Sequence, residues 1–473
     1  MSNAVFLASG KSSRMWPISE KIPKGLIRVK GEVLVERQIR QLLSQNVQDI
    51  TFVTSEANLD SWRYLEDMFS IQFIVNDKPD LGNWYTLKLF GHLLGDTFVC
   101  SVDDYFPTDI MHPAPFRSEE TSWYGFTFTS VPKDEWFISN KDGFIDSVLK
   151  ANATGGYMCG CAYLTEKDGK RLAEYLYDFN GSDEMWEDVF LAHTQTIKMR
   201  ARHIGVVEFD SIRDVIEYDP DFLPRIGGGE TNDTYLWGDK VIRIPGSDGV
   251  GATIDRSNER LVNSMAAEAG VDKSWLGQRN GVKLSQYVES KPVSPTDWGK
   301  VKEAFSLIKK VHMFDGRGVN RFEPLDDAQS LLMANTGLSG WDELFERYRL
   351  LSSIGRAYGD GRIRCVCHND FHPGNLLDGK DGMSIIDWEY AGFGDAMNDI
   401  GSWLSCVSYS VDEALTAISI YGADEMACIR SAERCSFRWY VWCLVQEASG
   451  LDMEGWTELC KANLDMYGRM RKL

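Results

Sequence analysis

Nowhere in its 473 residues does the chain hold a run of about 18 apolar residues, so no helical membrane span is expected. No signal peptide is visible either. The short apolar stretch Ala4–Ala8 runs directly into a polar loop and is predicted to be a buried strand, which points to a cytoplasmic protein. Positive charge is in short supply: 50 Lys and Arg stand against 70 Asp and Glu, a net −20. That balance argues against nucleic acid or an anionic membrane as partner and is compatible with a cationic small molecule. Paired C-x₂₋₄-C units of structural zinc sites are missing. The ten cysteines are scattered, and Cys159/Cys161 and Cys365/Cys367 are spaced so that both members face one side of a strand. They are expected to be buried thiols in a reducing compartment rather than a metal site. The chain also lacks a G-x-G-x-x-G dinucleotide fingerprint, an internal repeat and a Ser/Gly-rich linker.

What remains is a composition of 43% hydrophobic and 12% aromatic residues, in a chain too long for one ordinary core. Two abutting domains are expected. The first two hundred residues alternate between short apolar runs and amphipathic segments. Strands are predicted at Ala4–Ala8, Ile50–Val53, Ile71–Val75 and Phe98–Val102, and helices at Val33–Leu43, Trp62–Phe69 and Tyr85–Leu94. This is the pattern of an α/β parallel sheet. Beyond Asp219 a hairpin is predicted from Ile226–Leu236 and Lys240–Ile244, then a helix at Ser257–Glu268 and a mainly helical remainder. Two prolines and three acids between residues 216 and 224 mark the boundary, giving domains of 1–218 and 219–473.

The most informative segment is Cys367-His368-Asn369-Asp370-Phe371-His372-Pro373-Gly374-Asn375, followed by Ile386-Asp387-Trp388-Glu389. Apolar strands are predicted on either side, at Ile363–Cys367 and Ser384–Ile386. Phosphoryl transfer to a hydroxyl requires one carboxylate to take the proton, and an amide and a second carboxylate to hold Mg²⁺ on the nucleotide phosphates. Asp370, Asn375 and Asp387 form such a set. Protein kinases use H-R-D-x-x-x-x-N and D-F-G; the variant here resembles the aminoglycoside phosphotransferase and choline kinase group. The resemblance implies a bilobal, protein-kinase-like fold over residues 219–473, with Asp370 catalytic and Asn375 and Asp387 binding metal. A Gly-rich turn, Gly227 to Asn232, is placed to approach phosphates, with Gly228, Thr231 and Asn232 as nucleotide contacts. Arg243 stands where kinases carry their phosphate-binding Lys, and Glu259 on the next helix is expected to orient it. Arg243 within R-I-P-G resembles bacterial choline kinases. The adenine is expected along the strand and hinge at Leu284–Glu289. Trp388, Glu389, Trp439 and Trp442 are candidates for the amine, because a quaternary ammonium is held by aromatic faces and carboxylates.

The first domain opens with Ala8-Ser9-Gly10-Lys11-Ser12-Ser13-Arg14, and Pro23-Lys24-Gly25-Leu26 follows. Backbone N–H groups of such a loop surround a triphosphate, while Arg14 and Lys24 neutralise charge developing at the α-phosphate and pyrophosphate. This resembles the sugar-phosphate and phosphocholine nucleotidyltransferases, whose fold is Rossmann-like, although their second glycine is Ser12 here. The resemblance implies metal carboxylates at Asp103 and at Glu208 and Asp210. Asn83 and Tyr85 would read the pyrimidine, and Trp186 and Glu187 would form part of an ammonium box. Asp104 is expected to be a solvated turn residue.

Together the resemblances imply a bifunctional enzyme: ATP phosphorylates choline, then CTP activates phosphocholine to CDP-choline with release of pyrophosphate. Mg²⁺ would serve both steps, and the product would feed decoration of a surface glycan or lipid. The alternatives are the same chemistry on ethanolamine or another amino-alcohol or aminophosphonate, and a nucleotide-sensing regulator with one inactive domain.

Overall fold

The computed structural model describes residues 2–107, 116, 118–228, 231–246, 254–357 and 364–472. Contacts divide it into two compact units, Met1–Leu223 and Pro224–Leu473.

The first unit is built on a seven-stranded sheet. Strand Asn3–Ala8 lies at its centre, parallel to Asp49–Ser55 on one side and Thr97–Ser101 on the other. Its Ala4, Val5 and Phe6 are wholly buried, as expected for a strand covered on both faces. Phe6 stacks on Phe52 at 4.5 Å. Gln72–Asn76 completes the parallel part. The helix Leu34–Ser44 packs through Val35, Ile39 and Leu42.

The expected all-parallel sheet is corrected. Its far side is a long antiparallel hairpin, Trp123–Lys141 with Phe144–Leu164, and Arg200–His203 pairs parallel to the first of these strands. The turn is Asp142-Gly143, both at positive φ. Two left-handed residues match the right-handed twist of a hairpin, and Asp-Gly is among the sequences that adopt them most readily. Two helices also differ from expectation. Trp62–Phe69 belongs to two helices, Glu56–Trp62 and Tyr64–Phe69, and Tyr85–Leu94 is a helix over Asn83–Leu89 followed by a 3₁₀ turn at Gly91–Leu93.

The second unit begins with a five-stranded antiparallel sheet. Its order is Arg225–Gly228, Asn232–Trp237, Lys240–Pro245, Val282–Gln286 and Trp275–Arg279. The predicted strand Ile226–Leu236 is therefore two strands with a reversal between them; Gly229 and Glu230 lie outside the described residues. Helix Arg256–Glu268 is capped by Asp255, whose side chain accepts from the Ser257 and Asn258 amides. The rest is a helical lobe around Trp298–Val311, Met397–Ser405, Glu425–Ala448 and Glu454–Met470. Set into it are the short pairs Arg364–Cys367 with Gly392–Asp395, and Leu376–Gly379 with Gly382–Ile385. A small sheet followed by a helical lobe is the kinase-like arrangement. Among the described residues no helix is long and apolar enough to cross a membrane.

Each unit has its own core, so each is expected to fold alone. Residues 1–223 and 224–473, expressed separately, should each unfold in a single cooperative transition. Insoluble or non-cooperative products from both would contradict this.

Candidate functional site

In the first unit the strand Thr97–Ser101 ends beside Asp103 and Asp104, and Asp104 pairs directly with Glu208 on the short strand Val207–Glu208. That pairing gathers Asp103, Asp104, Glu208 and Asp210 at one cavity of about 300 Å³. Lys24 reaches the cluster from a 3₁₀ turn, with its Nζ 2.5 Å from Asp103 and 3.7 Å from Asp210. Arg14 lies 3.0 Å from Asp210. Burial works against the Lys24 ammonium, but Asp103 and Asp210 outweigh it and hold its pKa above the usual lysine value. Burial likewise pushes the Asp103 carboxyl up, and Lys24 more than reverses this. Asp104 has no such partner. Burial, Glu208 and Asp103 together drive its carboxyl well above the usual range. Glu208 is pushed to about 8 by burial, with Lys133 opposing.

Asp104 is thus corrected from a solvated turn to a strand residue 2% exposed, with its Oδ2 buried and unpartnered. Four carboxylates, one of them with an orphaned oxygen, suit a hard divalent cation such as Mg²⁺.

The phosphate-loop candidates are distributed unevenly. Ala8 and Ser9 are buried, and the Ser9 hydroxyl donates to the Val53 carbonyl. Gly10 has open space around its Cα. Lys11 pairs with Asp80 on the surface at 2.6 Å. Ser12 adopts φ 49°, the left-handed region that favours glycine, and Ser13 begins a 3₁₀ turn ending at Met15.

At the cavity's other end, Tyr124 donates to Glu187 at 2.7 Å, and the Asn83 amide lies 3.4 Å from the same carboxylate. Burial pushes the Glu187 carboxyl to about 7. Trp186 is corrected as a ligand candidate. It is 1% exposed and stacks behind Tyr124, because its position in the first turn of helix Trp186–Leu191 turns it into the core. Tyr85 hydrogen-bonds Asp77 rather than Asn83 or Glu187. Tyr124 and Trp136, which also line the cavity, were missed; they lie on the unpredicted hairpin.

In the second unit, Asp370, Asn375 and Asp387 converge on a cavity of about 230 Å³. The Asn375 amide donates to the Asp370 carbonyl and to its Oδ2, both at 2.9 Å. Asn369 and Asp387 are held at positive φ, a strain typical of functional loops. Asp399 fixes the loop from behind by accepting the His368 and Asn369 amides at 3.2 and 2.7 Å. Burial and then Asp387 push the Asp370 carboxyl well above its usual range, with Arg438 opposing. Burial also acts on Asp387, but Arg243 and Lys283 keep its carboxyl below the usual range. Arg243 lies 2.5 Å from Asp387 and also pairs with Glu259, which is fully buried.

Glu389 lines this cavity with both oxygens engaged. Thr231 donates to one at 2.9 Å and Asn232 to the other at 2.8 Å, and Arg256 lies at 3.3 Å. It ties Thr231 and Asn232, at the end of the Gly-rich segment, to the segment that carries Asp387. Gly228 ends its strand exposed, and the Leu284–Glu289 stretch is strand up to Gln286.

Trp439 and Trp442 form one wall, 5.6 Å apart and near perpendicular, with Tyr390 5.6 Å from Trp439. Trp388 is corrected: it is wholly buried in the main core, tilted against His368 at 4.6 Å. Asp387 lines the cavity from a left-handed backbone position just past the strand Gly382–Ile385, while Trp388 packs into the core. Sequence reasoning missed Trp456 at the cavity mouth, 45% exposed, and Arg438, which stacks on Trp439 at 3.8 Å and pairs with Asp327 at 2.7 Å. A tryptophan on the last helix has no motif to mark it.

The comparisons follow this division. Residues 4–103 match the MobA-like NTP transferase domain, and residues 296–430 match the phosphotransferase enzyme family. The chain joins a nucleotidyltransferase-type domain to a phosphotransferase-type domain. Over 233 residues it is 25% identical to the 2-aminoethylphosphonate cytidylyltransferase of Lancefieldella rimae, covering 47% of this chain and 93% of that protein. Over 221 residues it is 23% identical to the choline-phosphate cytidylyltransferase of Streptococcus pneumoniae, covering 45% and 94%. Protein LicA of Haemophilus influenzae is 26% identical over 207 residues, covering 41% of this chain and 61% of that protein.

The raised Glu187 carboxyl has a measurable consequence. From its usual 4.5 up to about 7, folded Glu187 keeps a proton that the unfolded chain releases. Stability therefore falls as pH rises through that window, by at most about 3 kcal/mol. Glu187→Gln should flatten the fall, read as unfolding free energy at about pH 5 and about pH 8. An unchanged slope would mean that Glu187 titrates normally.

Proposed function

We propose that the chain phosphorylates choline with ATP in its second unit and converts phosphocholine and CTP to CDP-choline and pyrophosphate in its first. The observation that carries this is the second-unit cavity, which joins the Asp370–Asn375–Asp387 set to a wall of Tyr390, Trp439, Trp442 and Trp456.

In the kinase step Asp370 accepts the proton of the choline hydroxyl as its oxygen attacks the γ-phosphorus and ADP leaves. Asn375 and Asp387 would hold Mg²⁺, and Arg243, paired with Glu259 beside Asp387, would meet phosphate charge. The aromatic faces hold the trimethylammonium head. In the second step a phosphocholine oxygen attacks the α-phosphorus of CTP. Lys24 and Arg14 meet the charge developing there and on the departing pyrophosphate. Asp103, Asp104, Glu208 and Asp210 are the candidates to hold Mg²⁺ there, which in both steps neutralises phosphate charge. Asn83, Tyr124 and Glu187, which line the first-unit cavity, are the candidates for the cytosine or the ammonium group.

The 2-aminoethylphosphonate cytidylyltransferase, named for the first unit's type of reaction, matches 47% of this chain. A phosphonate already carries its phosphorus and has no use for a kinase, so the phosphotransferase half favours a hydroxyl substrate. A primary amino-alcohol such as ethanolamine is the second reading. One observation favours it: the buried Tyr390 hydroxyl has no hydrogen-bond partner among the described residues and can accept from –NH₃⁺ but not from a trimethylammonium group.

Asp370→Asn should lower ATP-dependent phosphorylation by ~10²–10⁴ while leaving CTP consumption with supplied phosphocholine near its starting rate. Wild-type kinase turnover in this variant would overturn the assignment. Trp442→Leu and Trp456→Leu should raise the KM for choline about five- to thirty-fold, the equivalent of ~1–2 kcal/mol of cation–π interaction, and leave the KM for ATP unchanged. A preference for ethanolamine in the unmodified enzyme would select the second reading.

A further inference from the structure

A second cluster of ligand-type side chains lies behind the catalytic loop, away from the cavity. Strand Arg364–Cys367 leads into the loop and presents Cys365 and Cys367 on one face, their sulfurs 3.8 Å apart. His312, capping the C-terminal end of helix Trp298–Val311, completes the group. One atom from each of the three side chains lies within 4.8 Å of the other two. The cysteines are 5% and 0% exposed, and the His312 side chain 12%.

We propose that His312, Cys365 and Cys367 form a binding site for one Zn²⁺ ion, separate from the Mg²⁺ sites. The donor set is one imidazole and two thiols, which selects a borderline-soft ion over Mg²⁺. Two thiolates and a neutral imidazole cancel the ion's charge, which lets so buried a site accept it. Binding forms two Zn–S bonds and one Zn–N bond and releases both thiol protons to solvent; water takes the fourth position. The imidazole's outer partner is already in place: His312 Nε2 lies 2.9 Å from Asp399, leaving Nδ1 for the ion. A carboxylate that accepts the other ring N–H of a zinc-bound histidine orients it and raises its basicity. Asp399 also accepts the His368 and Asn369 amides, so an ion here braces the two residues that precede Asp370.

The test uses the full-length, reduced, chelator-stripped protein. Titration with Zn²⁺ against a chromophoric chelator should show one site per chain, with release of protons. Co²⁺ in its place should give the near-ultraviolet charge-transfer band of thiolate ligation. Cys365→Ser should weaken binding by at least ~10-fold, the scale on which even outer partners act. On the unaltered protein, Zn²⁺ should shield Cys365 and Cys367 from iodoacetamide, read by peptide mass spectrometry, and slow amide exchange at His368 and Asn369. Four results would overturn the proposal: no Zn²⁺ binding, undiminished binding in Cys365→Ser, a cobalt spectrum without the thiolate band, or equal alkylation of both cysteines with and without Zn²⁺.

Discussion

In each unit one carboxylate is kept ionised chiefly by a buried cation at 2.5 Å: Asp103 by Lys24, and Asp387 by Arg243 with Lys283 adding to it. Each has a neighbour with no such partner, and burial drives that neighbour's proton affinity up: Asp104 beside Asp103, and Asp370 near Asp387. Two acids with separated pKa values can divide the labour of a site; in the second unit Asp387 would take the metal and Asp370 the proton. The cations are structural in the same act. Removing one partner of a buried pair leaves an unpaired charge, which costs on the order of 3–5 kcal/mol. Arg243 is held a second time by Glu259, and Arg256 links Glu259 to Glu389. The Gly-rich segment, the first helix and the Asp387–Glu389 segment of the second unit are therefore one connected polar network.

Backbone strain sits at the same places. Asn369 and Asp387 are at positive φ in the second unit and Ser12 in the first. Serine at a left-handed position costs on the order of 1 kcal/mol relative to glycine. The loop holds that shape because flanking residues are anchored: Ser9 donates to Val53 on the neighbouring strand, and the Met15 amide closes a turn on the Ser12 carbonyl. Ser12 thus holds a left-handed turn that glycine would adopt without strain.

Much of this was legible in the sequence, for identifiable reasons. The central strands and the Asp370–Asn375–Asp387 set are local patterns, short apolar runs and a fixed spacing, and local patterns survive folding. Arg243 and Glu259, sixteen apart, meet because a strand and the next helix bring them together. What failed was orientation and long-range pairing. Trp388 and Trp186 adjoin acidic motif residues, yet a left-handed turn at Asp387 and the phase of helix Trp186–Leu191 leave both in the core. Trp456 and Arg438 enter the site from helices whose approach no motif encodes. The long hairpin announced itself only by Asp142-Gly143, and with it went Tyr124 and Trp136. Asp104 was misjudged because its burial depends on pairing with Glu208, about a hundred residues away.

The central claim is that one chain runs two consecutive reactions on one amino-alcohol. The most direct measurement incubates the unmodified protein with ATP, CTP, Mg²⁺ and each of a panel of amino-alcohols, and identifies products by mass spectrometry. The account predicts ADP, pyrophosphate and CDP-choline from choline, with phosphocholine as intermediate and no CDP-choline when ATP is withheld. Consumption of only one nucleotide, or of neither with any amino-alcohol in the panel, would contradict it.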